Sequence, residues 1–213
     1  MTFTIAIDGP AAAGKGTLAK KLAAHYGFAY LDTGSLYRAV GVAVQVQGLD
    51  PSNETAAIAA ARALDATKID EKAIRTAEAG EAASVVAVMQ PVRDAILQFQ
   101  RDFAKNPPNG SKGAVLDGRD IGTVVCPEAP AKLFVTASPE IRAHRRWLEL
   151  KGSGSAISEA QVLEETKERD RRDTERATSP LRPAPDAHLL DTSNLSIEAA
   201  FGEAVAIIDK SMR

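Results

Sequence analysis

The sequence predicts an α/β fold: a five-stranded parallel sheet with flanking helices. Three observations carry this. Short apolar runs recur along the 213 residues, helical patterns separate them, and the first run leads directly into a glycine-rich loop that opens a helix. Hydrophobic residues at 45% and charged residues at 25% are globular values and exclude disordered and fibrous classes. The 26 basic and 28 acidic residues leave a net charge of -2, so the basic excess of a nucleic-acid binder is missing and no such partner is expected. One cysteine, Cys126, and three scattered histidines, His25, His144 and His188, exclude an intrachain disulfide and argue against a Cys/His metal cluster. No apolar run approaches the ~18 residues of a membrane span, and the opening MTFTIAIDGP lacks a basic signal region. A cytoplasmic protein without a membrane partner is expected.

The predicted strands are Thr4 to Asp8, Ala29 to Asp32, Ala114 to Asp117, Lys132 to Thr136 and His188 to Asp191, all read as buried. Four of them end in aspartate. Ligands of such sheets bind beyond the carboxyl ends of the strands, so these aspartates are expected around the site. Asp50 and Pro51 predict the start of an Ala-rich helix ending near Leu64, and Ser138 and Pro139 the start of another over Glu140 to Leu150. Ser158 and Gln161 form a capping-box pattern for a helix reaching about Glu175. Ser196 is expected to cap the last helix, with Ile197, Phe201, Val205 and Ile208 on one face. About eighty residues separate the second and third strands, more than one crossover needs. The expected organisation is one domain over 1-213, with a core of 1-48, 84-148 and 160-213 and a helical insert at about 49-83. The Gly/Ser stretch Lys151 to Ala156 lies between arginine-rich helices, the place for a closing lid at about 149-159.

The strongest local signal is Gly9, Pro10, Ala11, Ala12, Ala13, Gly14, Lys15, Gly16 and Thr17. Between a strand and a helix, such a loop brings backbone N–H groups close to a phosphate, and the positive end of the helix dipole faces the anion. Lys15 supplies a mobile charge for terminal phosphates. The position after the lysine, which usually holds Mg²⁺ through Ser or Thr, is Gly16 here. Magnesium is therefore expected mainly on phosphate oxygens and waters, with Asp117 orienting one such water. Thr67-Lys68-Ile69-Asp70 superficially resembles a guanine-reading motif, but it falls in the insert and no D-x-x-G switch occurs, which argues against a regulatory GTPase.

From Ile5 to the last helix the chain resembles the nucleoside monophosphate kinases and, within them, the bacterial cytidylate kinases. The carrying segments are GPAAAGKGT from Gly9, LDTGSLYRA from Leu31, AASVVA from Ala82, PVRDA from Pro91, DGRDIGTVV from Asp117, RAHRR from Arg142 and KERDRRDTERATSPL from Lys167. Ala12 departs from the glycine of many relatives and requires a loop conformation that alanine tolerates.

The resemblance implies phosphoryl transfer from MgATP (or dATP) to CMP or dCMP, and a monomer acting on small nucleotides. It also implies that Thr33, Arg38, Arg119 and Arg176 surround the monophosphate. Arginine suits this because its planar fork grips phosphate through two hydrogen bonds. At about 100° per residue, Arg169, Asp173 and Arg176 fall within ~60° of a helix face. Such a run alone reads as a solvated ion-paired face; the resemblance assigns Arg169 and Asp173 to the sugar hydroxyls. By the same resemblance Asp120, Arg93 and Ser84 read the cytosine edge: an aspartate accepts from the amino group, an arginine and a serine donate to N3 and O2. Lys15, Arg119, Arg145 and Arg176 are the charges expected at the transferring group.

Overall fold

Strands β1 (Phe3–Asp8), β2 (Ala29–Asp32), β3 (Gly113–Gly118), β4 (Ala131–Thr136) and β5 (His188–Asp191) pair in parallel in the order β2-β3-β1-β4-β5. This is a computed structural model, and it describes residues 2–152 and 154–212. All five predicted strands form, within two residues at their ends. They are not equally buried. The central β1 and β3 are enclosed, whereas the edge strand β5 buries only Leu190 among its four residues.

The helices are α1 (Lys15–Tyr26), α2 (Thr33–Val46), α3 (Glu54–Arg62), α4 (Ala77–Val86), α5 (Gln90–Lys105), α6 (Pro139–Gly152), α7 (Glu159–Glu175) and α8 (Ile197–Ser211). One sheet face packs Ile5, Ile7, Val115, Leu133 and Val135 against Leu18 and Leu22 of α1 and Ala204 and Ile208 of α8. The other packs Ala6, Ala114 and Leu116 against Ala104 of α5 and against Ile121 and Val125. A separate cluster joins Leu36, Val40 and Val44 of α2 to Ala57 of α3, Val86 of α4 and Ile96 of α5. It holds the insert beside the carboxyl end of the sheet. The packing of α2 against α4 needs Gly41, since a β-carbon there would lie 2.6 Å from that of Ala82.

Local signals place most helix ends. The Ser158–Gln161 capping box forms in both directions, Ser196 accepts from the Ala199 amide, and Ser138 accepts from Ile141. Three expectations change. The helix expected from Asp50 begins at Glu54, because Asp50 accepts from the Ser52 amide in a turn and Asn53 caps Ala56 instead. The buried row of α8 is Ala200, Ala204 and Ile208, while Ile197 is 53% exposed; small side chains at four-residue spacing let that helix lie close to the sheet. The expected insert boundary at 83/84 falls inside α4. Of the Lys151 to Ala156 stretch, α6 continues to Gly152 and Ser153 lies outside the described residues.

Candidate active site

The loop between β1 and α1 is shaped by backbone needs. Gly9 has φ +145, and a β-carbon there would sit 1.9 Å from the Val135 carbonyl oxygen, so no other residue fits. Ala12 takes the left-handed φ of 58, which favours glycine, so the expectation of a loop conformation that alanine readily tolerates is not met. Lys15 begins α1 and is buried, with Nζ donating to the Pro10 carbonyl at 2.8 Å and lying 4.0 Å from Asp117 Oδ1. Thr192, beyond β5, braces the loop: its hydroxyl donates to the Ala13 carbonyl at 3.0 Å.

Strand register decides which strand-end aspartates reach this loop. Asp32 and Asp117 pair across β2 and β3, and Asp117 pairs with Ile7 of β1, so these positions share a face. Asp8 is one residue further along and turns to the opposite face, where it accepts from the Ile121 and Gly122 amides. Asp191, on the edge strand, accepts from Ser193. Two of the four aspartates therefore line the cleft beside the loop, and two do not.

That cleft measures about 1500 Å³, above the ~300–1,000 Å³ of an ordinary small-molecule pocket and enough for two ligands. The phosphate loop forms part of its lining. Elsewhere in the lining, Arg119 donates through Nε to Asp173 at 2.8 Å, and Arg93 donates to Asp120 at 2.6 Å and to the Ala87 carbonyl at 3.0 Å. The Arg93 guanidinium lies 5.4 Å over the Tyr37 ring. Arg38 pairs with Asp32. Arg172 of α7 grips Glu81 of α4 through its two terminal nitrogens, at 2.6 and 3.0 Å, tying α4 to α7. Thr33, Arg38, Ser84, Arg93, Arg119, Asp120, Arg169, Asp173 and Arg176 all line this one cleft with Lys15 and Asp117.

Three details depart from the helix-face and ligand expectations. α7 ends at Glu175, so Arg176 enters the cleft from an extended residue just past the helix, with Nε donating to the Ser179 carbonyl. Thr33 donates its hydroxyl hydrogen to the Asp117 carbonyl at 2.8 Å and so has only acceptor capacity left. Arg145 donates to the Thr192 hydroxyl and carbonyl, at 3.1 and 2.7 Å, on the loop side of the cleft.

The electrostatics reveal an unmet demand. Lys15, Arg169 and Arg176 are all held below their ordinary values, first by burial and next by another cation: Arg119 for the first two, Arg93 for the third. Asp173, which burial alone would raise, is instead held low by Arg119, Arg169 and Arg176. Ser84 Oγ, Arg169 Nε and Arg176 Nη2 are buried without a hydrogen-bond partner. Buried donors are rarely left so, and together these groups ask for an anionic ligand carrying acceptors.

Sequence reasoning passed over several residues. Arg142, first of the RAHRR run, is buried and links the Ala137 carbonyl, the Ala11 carbonyl of the loop and Asp170 of α7. Its signal was its place on the inward side of α6. Thr192 and Asp170 carried no signal without the fold. Among the described residues no three His, Cys, Asp or Glu side chains are grouped to hold a metal.

A glycine loop between the first strand and first helix, facing an arginine-lined cleft at the carboxyl end of a parallel sheet, defines a P-loop kinase. Solved structures agree on the fold. Shikimate kinase from Bacteroides thetaiotaomicron superposes with a TM-score of 0.52 at 11% identity, over 97% of this chain and 98% of that one. A gluconokinase from Sinorhizobium meliloti gives 0.50 at 13% identity, over 98% and 92%. The sequence is more specific. Residues 5–210 match the family model for cytidylate kinase. The chain is 58% identical to the cytidylate kinase of Cereibacter sphaeroides over 98% of this chain and 96% of that one. It is 57% identical to that of Rhodospirillum rubrum over 96% of each. The chain belongs to the cytidylate kinase family.

Proposed function

We propose that the protein transfers the γ-phosphoryl group of ATP (or dATP) to CMP or dCMP, giving ADP and CDP or dCDP. The observation that carries this reading is the set of buried, unpartnered donors on Ser84, Arg169 and Arg176, gathered across one cleft from a phosphate loop. Lys15 meets charge developing on the terminal phosphates of the donor. Arg38, Arg119 and Arg176 hold the acceptor monophosphate, with Arg145 positioned from the loop side. Arg169 and Asp173 take the sugar hydroxyls. Asp120 has one oxygen engaged by Arg93, leaving the other for the cytosine amino group, while Arg93 and Ser84 donate to the ring acceptors. The acceptor is already an anion, so positioning and charge neutralisation replace a strong general base.

Mg²⁺ fits the donor end without a protein cage. A β-carbon at Gly16 would lie 3.4 Å from Asp117 Oδ2, so this carboxylate borders the loop where a metal-held water would sit. Bound there, the ion neutralises phosphate charge. We further propose that 49–83 forms a monophosphate-binding insert, that 149–159 closes as a lid to exclude water, and that the protein acts as a cytoplasmic monomer. No described helix is long and apolar enough to cross a membrane.

A coupled ADP-release assay across CMP, dCMP, UMP, AMP and shikimate tests the reaction. Turnover is expected with CMP and dCMP well above the others. A preference for UMP or shikimate would move the protein to another acceptor, and ATP binding without acceptor-dependent turnover would make it a binding module.

A further inference from the structure

Asp8 is 4% exposed and ends β1, immediately before the phosphate loop. It faces away from the cleft, and no role in phosphoryl transfer falls to it directly. Its carboxylate instead accepts from two successive backbone amides, Ile121 N to Oδ1 and Gly122 N to Oδ2, both at 2.7 Å. These amides follow Arg119 and Asp120 without a gap. There the chain leaves β3 and enters a single wide turn, Ile121–Val125, closed by Val125 N to the Asp120 carbonyl and Cys126 N to the Ile121 carbonyl. The first amides of such a turn have no partner within it. A side chain from the neighbouring strand supplies the cap. The fit is close: a β-carbon at Gly122 would lie 3.4 Å from Asp8 Oδ2 and 3.2 Å from Lys132 Cδ.

We propose that Asp8 is a positioning residue for acceptor discrimination, setting the direction of the Arg119–Asp120 segment from the strand that carries the phosphate loop. The proposal rests on the reading of Asp120 as the group that faces the base. An ionised carboxylate accepts from both amides at once. An amide side chain has one acceptor oxygen and a donor nitrogen that opposes the second N–H, so the segment must shift or lose a bond. Burial pushes Asp8 up to about 7, against the pull of the two amides.

The test compares wild type, Asp8→Asn, Gly122→Ala and Asp120→Asn, each with CMP and UMP at saturating ATP, with the ATP KM measured separately. Asp8→Asn is expected to lower the CMP/UMP ratio of kcat/KM by ~10-fold, the size of one lost polar discrimination, with the ATP KM within about twofold of wild type. Gly122→Ala crowds the same carboxylate and is expected to move the ratio in the same direction; it decides the matter if Asp8→Asn does not fold. A constant ratio with kcat reduced for both acceptors would overturn the proposal and assign Asp8 to the field around Lys15. A constant ratio in Asp120→Asn would instead remove the base-reading role of Asp120, and the proposal with it.

Discussion

The two ends of the cleft are built in opposite ways. The phosphate-loop end is local and self-contained: nine consecutive residues, a glycine that only glycine can fill, and a lysine already hydrogen-bonded to the Pro10 carbonyl of its own loop. The acceptor end collects residues from α2, α4, α5, the end of β3 and the end of α7, and its buried donors on Ser84, Arg169 and Arg176 stand unpartnered. One end is finished by folding. On the proposed function, the other is finished by its ligand, and acceptor choice is set by side chains that only tertiary structure gathers.

Substitutions at the two ends should therefore fail differently. The largest effect is expected for Lys15→Ala: kcat falls by ~10²–10³, as when one preorganised charge is removed from a transition state, with the CMP KM little changed. Melting by circular dichroism should show a folded protein, because burial and Arg119 already disfavour the charged lysine. A kcat within a few fold of wild type would break the comparison at its donor end.

Arg119→Ala comes next. It strips Asp173 of its 2.8 Å partner, so the CMP KM should rise ~10–100-fold while the ATP KM stays within about twofold. Asp173 is held low in the folded state, so its ion pairing adds stability above the ordinary aspartate pKa, and this is lost as pH falls through the depressed value. The stability gap between wild type and Arg119→Ala should accordingly narrow on acidification, as denaturant melts at neutral and acid pH would show. An unchanged CMP KM would make Arg119 a packing residue. The smallest effect belongs to Ala12→Gly. Relief of the left-handed alanine should raise stability by up to about 1 kcal/mol, seen as a rise of a few degrees in Tm with turnover preserved.

The same contrast explains what the sequence made legible. The phosphate loop, the strand ends and the Ser158 and Ser196 caps follow from neighbours within a few residues, and the structure has them where expected. The Asp50 start failed for an equally local reason: Asp50 closes a turn on Ser52 and Asn53 takes over the cap. The residues proposed for the acceptor were nameable only through the family resemblance, since an ion-paired helix face reads the same from Arg169 and Asp173 alone. Asp8 could not be told from Asp117 by its strand-end position, because register and the two-residue alternation send them to opposite faces. The tie of Arg142 to Asp170 joins residues 28 apart on two helices, and no spacing rule connects them.

The account turns on whether the acceptor end is completed by CMP. Proton–nitrogen correlation spectroscopy of arginine Nε–H groups reads this directly, with Arg169 assigned by the signal lost in Arg169→Lys. Saturating CMP alone should shift the Arg169 signal and slow its exchange with solvent, because the buried Nε gains its missing partner. A non-hydrolysable ATP analogue alone should leave that signal in place. An Arg169 signal that ignores CMP and moves with the ATP analogue would contradict the division of the cleft.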